Sequence, residues 1–204
     1  MDNPQLDPNF ILQAEFEYIA TTATQSNEDR GRVTSFFFVT VGSLIAAILG
    51  ARYFDEASGY TGYIFLGFSL LFMILTVLGY LTTAQLARLR TAWFESVHAM
   101  NVLKEYYVKE IGGNLNDAFL WKKNTIPAPY KPGSVANFLA QEVTILSGLI
   151  FGAGVYFFLL GLGVENGIEA IIIGLAFGIL MWQIQFYLYK RLLDSHELSN
   201  RKKA

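Results

Sequence analysis

Two glutamates stand where an acidic side chain could do chemistry at a membrane. Glu142 precedes the apolar stretch of residues 143–164, and Glu169 lies near the start of the apolar stretch of residues 168–189. A ring of such carboxylates around a symmetry axis would attract cations and form the mouth of a pore. In a single helix, the carboxylate would instead complement the partial positive charge of the helix N-terminus. The sequence favours the helix-terminus role and keeps Glu142 and Glu169 as candidate pore-mouth acids.

Side chains for most other kinds of catalysis are missing from the chain. It has no cysteine, which excludes disulfides, thiolate nucleophiles and cysteine-ligated metals. The two histidines, His98 and His196, have no partner at the ligand spacing of zinc sites. The chain has no glycine-rich phosphate loop, serine nucleophile elbow or metalloprotease signature. We therefore expect no enzyme activity, no cofactor and no metal site. The lack of an ionisable residue near the middle of a span also argues against a pump or coupled carrier.

Composition points to a membrane protein and away from nucleic acid. The 204 residues include 15 basic and 17 acidic ones, so no broad basic surface is available for nucleic acid. Hydrophobic residues make up 53% of the chain and charged residues 16%, below the ~25% charged residues of soluble domains. The charges crowd into the segments between long apolar stretches.

Four apolar stretches are long enough to cross a bilayer, which takes about 20 residues for a hydrocarbon core of ~30 Å. They are residues 33–51, 62–81, 143–164 and 168–189. No basic cluster with a short apolar run precedes them, so we expect the first span to direct insertion, without a cleavable signal peptide. The predicted fold class is all-α, an integral membrane bundle of four transmembrane helices with extended cytoplasmic helices.

The basic residues indicate the orientation of the chain. Fourteen of the 15 lie before the first stretch, between the second and third, or after the fourth, and only Arg52 lies on the other side. Basic residues accumulate on the cytoplasmic side of membrane proteins. We therefore predict an integral protein of the plasma membrane with the N-terminus and the C-terminus in the cytoplasm. The outer connections, at residues 55–60 and 165–167, are short and predict tight helical hairpins.

The N-terminal arm is predicted to be an amphipathic helix. Asp7 can cap this helix and Pro8 suits its first position. We expect the helix to run through Gly31 into the first span, and either to lie on the membrane surface or to pack against another cytoplasmic helix. Its acidity favours packing. The apolar face of the arm consists of Phe10, Ile11, Ala14, Tyr18, Ile19 and Thr22.

The second span is predicted to continue as one helix to Ile111, ahead of the stop signal at Gly112 and Gly113. Its part beyond the membrane, residues 86–111, would project ~38 Å. One face of this part carries an apolar stripe at three- and four-residue steps, which either the N-terminal arm or a neighbouring subunit must bury. This cytoplasmic assembly stripe consists of Leu86, Leu89, Trp93, Val97, Met100, Leu103 and Tyr107.

Residues 114–133 are predicted to form a loop, because Pro127, Pro129 and Pro132 forbid regular helix. A proline-rich docking motif is the alternative. Ser134 is predicted to cap the helix that leads into the third span. The chain thus divides into an N-terminal amphipathic helix at 1–32, a first transmembrane hairpin at 33–85, a cytoplasmic helix and proline-rich loop at 86–133, a second transmembrane hairpin at 134–190 and a basic cytoplasmic tail at 191–204.

Small residues recur at four-residue spacing in three of the spans. In lipid, helix association depends on close van der Waals packing, which small side chains allow. The sequence favours packing within the four-helix bundle, and it leaves a subunit interface and glycine flexing during gating as alternatives. The candidate packing residues are Gly42, Ala46 and Gly50 in the first span, Gly148 and Gly152 in the third, and Gly174 and Gly178 in the fourth.

Two functions from different classes remain open from the sequence. The favoured one is a non-enzymatic, homo-oligomeric membrane scaffold or accessory subunit, assembled through the small-residue faces and the cytoplasmic stripe. The alternative is an oligomeric ion channel or membrane-perturbing effector with Glu142 and Glu169 at its pore mouths. The expected partners are the lipid bilayer, further copies of the chain, and a heterologous membrane or cytoplasmic protein, with no nucleic acid.

Overall fold

The computed structural model describes residues 8–51, 61–111 and 128–201. These residues form four α-helices and no strand: α1 Pro8–Ala51, α2 Thr61–Ile111, α3 Val135–Gly161 and α4 Gly167–Arg201. Each helix contains a stretch long and apolar enough to cross a membrane. The predicted all-α fold with four membrane-length helices is therefore confirmed. The predictions for Asp7, for residues 55–60, for Gly112 and Gly113, and for the loop from 114 to 127 lie outside the described residues.

The first two helices are far longer than a bilayer requires. α1 has 44 residues and α2 has 51. At 1.5 Å per residue they are roughly 65 and 75 Å long, against a hydrocarbon core of ~30 Å. The two predictions of a continuous helix, through Gly31 and on to Ile111, are confirmed. We call residues 8–32 of α1 and 86–111 of α2 the helical extension, because they lie beyond the apolar stretches.

Local capping determines where α3 begins and how the chain turns into α4. Ser134 caps α3 as predicted, since its Oγ accepts a 3.3 Å hydrogen bond from the backbone N–H of Asn137. Beyond the end of α3, Gly163 has a φ of 85°, a left-handed conformation that glycine adopts without strain. The side chain of Asn166 then accepts a 3.2 Å hydrogen bond from the backbone N–H of Ile168. The predicted tight hairpin between the third and fourth helices is confirmed.

Helices α2 and α3 form the centre of the bundle. α3 packs against α2 on one side and α4 on the other, and α2 also touches α4. The ring of Phe157 on α3 stacks on that of Phe72 on α2, with the centroids 5.5 Å apart. α1 packs on α2 and makes only a few contacts with α3. α1 is thus a peripheral helix, with most of its surface uncovered.

Candidate functional site

The four glycines predicted on α3 and α4 meet at a single crossing of these helices. A Cβ added to Gly152 would lie 2.6 Å from the carbonyl oxygen of Gly174, and one added to Gly148 would lie 2.7 Å from that of Gly178. The reverse distances are equally short, at 2.7 Å for Gly174 and 2.8 Å for Gly178. Since no side chain fits at such a separation, the two backbones touch through glycine alone. We call this contact the glycine crossing, and it lies within one chain.

The small residues of α1 have different surroundings. Gly42, Ala46 and Gly50 are all exposed, and a Cβ added to either glycine meets no atom within 4 Å. α1 uses another face, with Phe37 and Val41 buried, against the bundle. The structure therefore brings Gly42, Ala46 and Gly50 into contact with no other helix of the described chain. We call these three residues the α1 seam.

The cytoplasmic assembly stripe on α2 is mostly covered by the chain itself. Leu86 and Leu103 are buried, and the other five members are half-buried. α1 packs on α2, and Ile19, Ser26 and Arg30 are its buried residues in the helical extension. Of the two covers expected for the stripe, the structure thus places the N-terminal arm beside α2, and a neighbouring subunit is not needed to bury Leu86 or Leu103.

The apolar face predicted for the N-terminal arm is not the face that packs. Phe10, Ile11 and Tyr18 are exposed, and of the six predicted residues only Ile19 is buried. The reason is helical phase. Because α1 is one uninterrupted helix, the rotation that buries its membrane half also determines which residues of the arm face α2. The packing line of the arm is consequently rich in polar residues.

The two candidate pore-mouth acids are exposed and stand near opposite ends of the antiparallel α3–α4 pair. Glu142 lies two turns inside α3, which begins at Val135, so it does not complement the N-terminus of that helix. Glu169 does lie in the first turn of α4, where it accepts a 2.8 Å hydrogen bond from Nδ2 of Asn166. The structure brings Glu142 and Glu169 to no common site. In the described ranges, no three His, Asp or Glu side chains are grouped closely enough to hold a metal ion.

A buried polar contact joins α2, α3 and α4 inside the membrane-length part of the bundle. Nε2 of Gln185 donates a 2.9 Å hydrogen bond to Oγ of Ser147, which lies 3.4 Å from the carbonyl oxygen of Thr76. Gln185 is buried, whereas Gln183 is exposed. Hydropathy alone cannot separate these two amides, because they differ only in the face of α4 that they occupy.

Two arginines are buried where the helical extension joins the rest of the bundle. Arg30 of α1 is 9% exposed and Arg90 of α2 is 6% exposed. Nε of Arg90 donates a 3.0 Å hydrogen bond to the carbonyl oxygen of Pro129, and the guanidinium carbon lies 4.4 Å from the centroid of the Trp93 ring. Arg30 donates a hydrogen bond to Oδ1 of Asn27, while its own Nε is buried without a partner.

A tyrosine from α4 completes this cluster. Tyr189 is buried, and its hydroxyl donates a 3.4 Å hydrogen bond to the carbonyl oxygen of Ala136 at the start of α3. Tyr189 is also close enough to both guanidiniums to act on them electrostatically. We call Arg30, Arg90, Pro129 and Tyr189 the arginine layer. It joins α1, α2, α4 and the segment that precedes α3.

The electrostatics of the arginine layer are unfavourable without an added negative charge. Burial lowers the pKa of Arg30 and of Arg90 from the usual value, and for Arg90 the positive charge of Arg30 lowers the pKa further. Arginine nevertheless keeps its proton in proteins. Among the described residues, the ion pairs are those of Arg32 with Glu28 and Asp29, and neither buried arginine makes one. The arginine layer can therefore attract an anion.

In the sequence, Arg30 and Arg90 were indistinguishable from the other basic residues that set the topology. The available signal was their register. Arg30 lies four residues from each of Ser26 and Thr34, and all three are buried on one line of α1. A basic residue on a packing line indicates a buried charge, but the line itself becomes visible only when the helix rotation is known.

Comparison with known proteins gives no family for this chain: no protein-family model, no curated protein and no solved structure matches it.

Proposed function

We propose that this chain is a non-enzymatic membrane protein that assembles with copies of itself through α1 and acts as a scaffold or accessory subunit. The observation that carries the proposal is the α1 seam. Gly42, Ala46 and Gly50 are exposed on a helix that has one extensive neighbour, α2. Hydrophobic burial does not drive helices together in lipid, so close approach between small residues supplies much of the contact energy.

The glycine crossing supports a second copy as the occupant of the α1 seam. Within the same chain, glycines at four-residue spacing already bring two membrane helices into backbone contact. The α1 seam has the same spacing, but no helix of the described chain lies against its glycines. A second α1, related by a two-fold axis, would place one seam against the other, because an isologous contact uses the same patch twice.

The exposed apolar residues of the N-terminal arm extend this contact beyond the membrane. Phe10, Ile11, Phe16 and Tyr18 are all exposed on α1. Large apolar side chains grouped on one helix end mark interaction surfaces more often than single exposed ones do. In the proposed assembly, the arms of two copies meet through these side chains, and a heterologous partner is the other occupant that the test can reveal.

The proposed orientation follows the distribution of basic residues. Arg32, Arg88 and Lys131 are exposed at the same end of the bundle as the arginine layer. Basic residues favour the cytoplasmic face, so we propose that the helical extension and both termini lie in the cytoplasm and that the membrane is the plasma membrane. Reaction of single introduced cysteines with an impermeant thiol reagent in intact cells tests this orientation, because the natural chain has no cysteine.

The alternative, an ion channel, needs a different contact. Glu142 and Glu169 lie on α3 and α4, which make few or no contacts with α1. An oligomer joined through the α1 seam leaves both acids away from the contact. A pore lined by these acids would therefore require copies that meet through α3 and α4, and that difference separates the two functions.

Disulfide cross-linking in native membranes tests the proposed contact. Ala46→Cys lies five residues from the end of α1, and the control Ile172→Cys lies five residues from the start of α4, 61% exposed at a similar depth. We expect oxidation to link two copies at position 46 and not at position 172. Cross-linking at 172 alone would favour the channel contact, and equal yields at both positions, or none at 46, would overturn the proposal.

A further inference from the structure

The two buried arginines have more hydrogen-bond donors than the described chain satisfies. Each guanidinium carries five N–H donors. The partners in the structure are neutral: Oδ1 of Asn27 for Arg30, and the carbonyl oxygen of Pro129 together with the Trp93 ring for Arg90. Nε of Arg30 is buried and has no partner at all. The donors that remain are those of two positive side chains that converge from α1 and α2.

Burial makes this arrangement costly unless a negative charge joins it. Taking a charge out of water costs free energy that only an opposite charge or several strong hydrogen bonds can offset. Arginine cannot escape the cost by losing its proton. Two like charges near each other add repulsion, and this repulsion is stronger in a poorly solvated interior than in water. In the described residues no carboxylate reaches Arg30 or Arg90.

We propose that the arginine layer is a binding site for a phosphate-type anion, which the guanidiniums of Arg30 and Arg90 hold between them. The planar guanidinium fork matches the oxygens of a phosphate group and can donate two parallel hydrogen bonds to it. One anion would satisfy donors from both arginines and neutralise their repulsion. The proposal rests on the fold of one chain and does not depend on self-assembly through α1.

The level of the site in the bundle favours the phosphate of an anionic lipid as the source. The apolar stretch of α1 begins at residue 33, just after Arg30, and that of α4 ends at Tyr189, which belongs to the layer. The site therefore lies where a lipid headgroup would lie. Exposed cations surround this level, among them Arg32, Arg88 and Lys131. Basic pockets between membrane helices at this depth suit phosphate headgroups.

Lipid binding to the full-length protein tests the site. Native mass spectrometry in a neutral detergent would count bound phosphatidylglycerol and bound phosphatidylcholine on the natural chain, on Arg90→Gln and on Arg32→Gln. Arg32 is the matched control, because its side chain is 72% exposed and the substitution removes the same charge. We expect Arg90→Gln to weaken phosphatidylglycerol binding about tenfold or more, from the loss of charge-assisted hydrogen bonds, and Arg32→Gln to weaken it far less.

A second measurement separates the two sources of phosphate and does not rely on a variant that folds. The thermal midpoint of the natural chain would be measured in phosphatidylcholine nanodiscs, with added inorganic phosphate or with phosphatidylglycerol in the bilayer. A rise with phosphatidylglycerol alone assigns the site to lipid, and a rise with inorganic phosphate in phosphatidylcholine assigns it to a soluble phosphate. Both results support the proposal. No rise with either probe would overturn it.

Two further variants separate anion binding from a loss of folding and from neutralisation within the chain. Arg90→Lys keeps the charge and loses the fork, so we expect it to fold and still to bind phosphatidylglycerol more weakly than the natural chain does. Asp117, an acid of the sequence outside the described residues, is the internal competitor for the anion's role. If Asp117→Asn lowers the thermal midpoint in phosphatidylcholine and abolishes any difference between the lipids, the charge is neutralised within the chain and the proposal is wrong.

Discussion

The two helical hairpins of this chain are held together by different means. α3 and α4 touch backbone to backbone at the glycine crossing, whereas α1 and α2 pack through side chains, and Ser26, Arg30 and Arg90 are buried among them. The glycine crossing is complete within one chain because nothing else fits between the backbones. The α1–α2 hairpin leaves the α1 seam uncovered. Small-residue spacing therefore identifies faces that permit close approach, but it does not say whether the partner helix belongs to the same chain.

The largest effect is expected from a side chain added at the glycine crossing. Gly152→Leu would force atoms into a position where even a Cβ lies 2.6 Å from a backbone oxygen. Overpacking of this kind, against backbone that cannot move aside, should cost more than ~3 kcal/mol. We expect little folded protein or a large fall in thermal midpoint. Gly42→Leu at the α1 seam is the matched control and should leave the midpoint of the single chain nearly unchanged; equal midpoints would contradict a closed crossing.

The next effect is a change of sign at the arginine layer. In a neutral, phosphate-free detergent, Arg90→Met removes a buried charge that has no carboxylate partner among the described residues. Replacing buried charges with packed apolar side chains is often neutral or stabilising by about 1–4 kcal/mol. In bilayers with phosphatidylglycerol, the same substitution should lower the thermal midpoint, because the anion loses one of its cations. A fall of the same size in both media would show that no anion is involved.

A smaller effect is expected at the start of the second hairpin. Ser134→Ala removes the hydroxyl that accepts the hydrogen bond from the backbone N–H of Asn137. The loss of an N-cap typically costs ~1 kcal/mol. Thermal unfolding against the control Ser43→Ala, at an exposed position of α1, should show a lower midpoint for the cap variant only. No difference between the two would mean that the cap does not contribute to the stability of α3.

The smallest effect concerns the polar contact of Gln185 with Ser147. Hydrogen bonds between membrane helices contribute only ~0.6 kcal/mol on average, and Oε1 of Gln185 has no partner to offset its burial. We therefore expect Gln185→Met to change the thermal midpoint only slightly. Gln183→Met at the exposed neighbouring position should have no effect. A large loss for Gln185→Met would mean that this contact holds the helices together more strongly than the glycine crossing does.

Much of the fold could be predicted from the sequence because it depends on local or one-dimensional patterns. Apolar length gave the four helices, Pro8 marked the start of α1, and Ser134 marked the start of α3. The absence of a helix-breaking residue up to Ile111 gave the length of α2. None of these predictions required knowledge of which helix lies next to which.

The features that could not be predicted depend on helix rotation and on neighbours. Phe10 and Tyr18 belong to an apolar face of the arm, yet they are exposed, since the membrane half of α1 fixes the phase of the whole helix. The burial of Arg30 follows from the same rotation. Which small residues find a partner within the chain depends on the order of packing, and no spacing rule contains that information.

The native mass of the purified full-length chain in a mild detergent, compared with that of Ala46→Leu, tests the central claim most directly. Ala46 is exposed in the middle of the α1 seam, so a leucine there should not disturb the single chain. The account predicts a mass of two or more chains for the natural protein and of one chain for Ala46→Leu, with equal thermal midpoints. A natural protein that runs as one chain, or an Ala46→Leu variant that keeps the mass of the natural assembly, would contradict it.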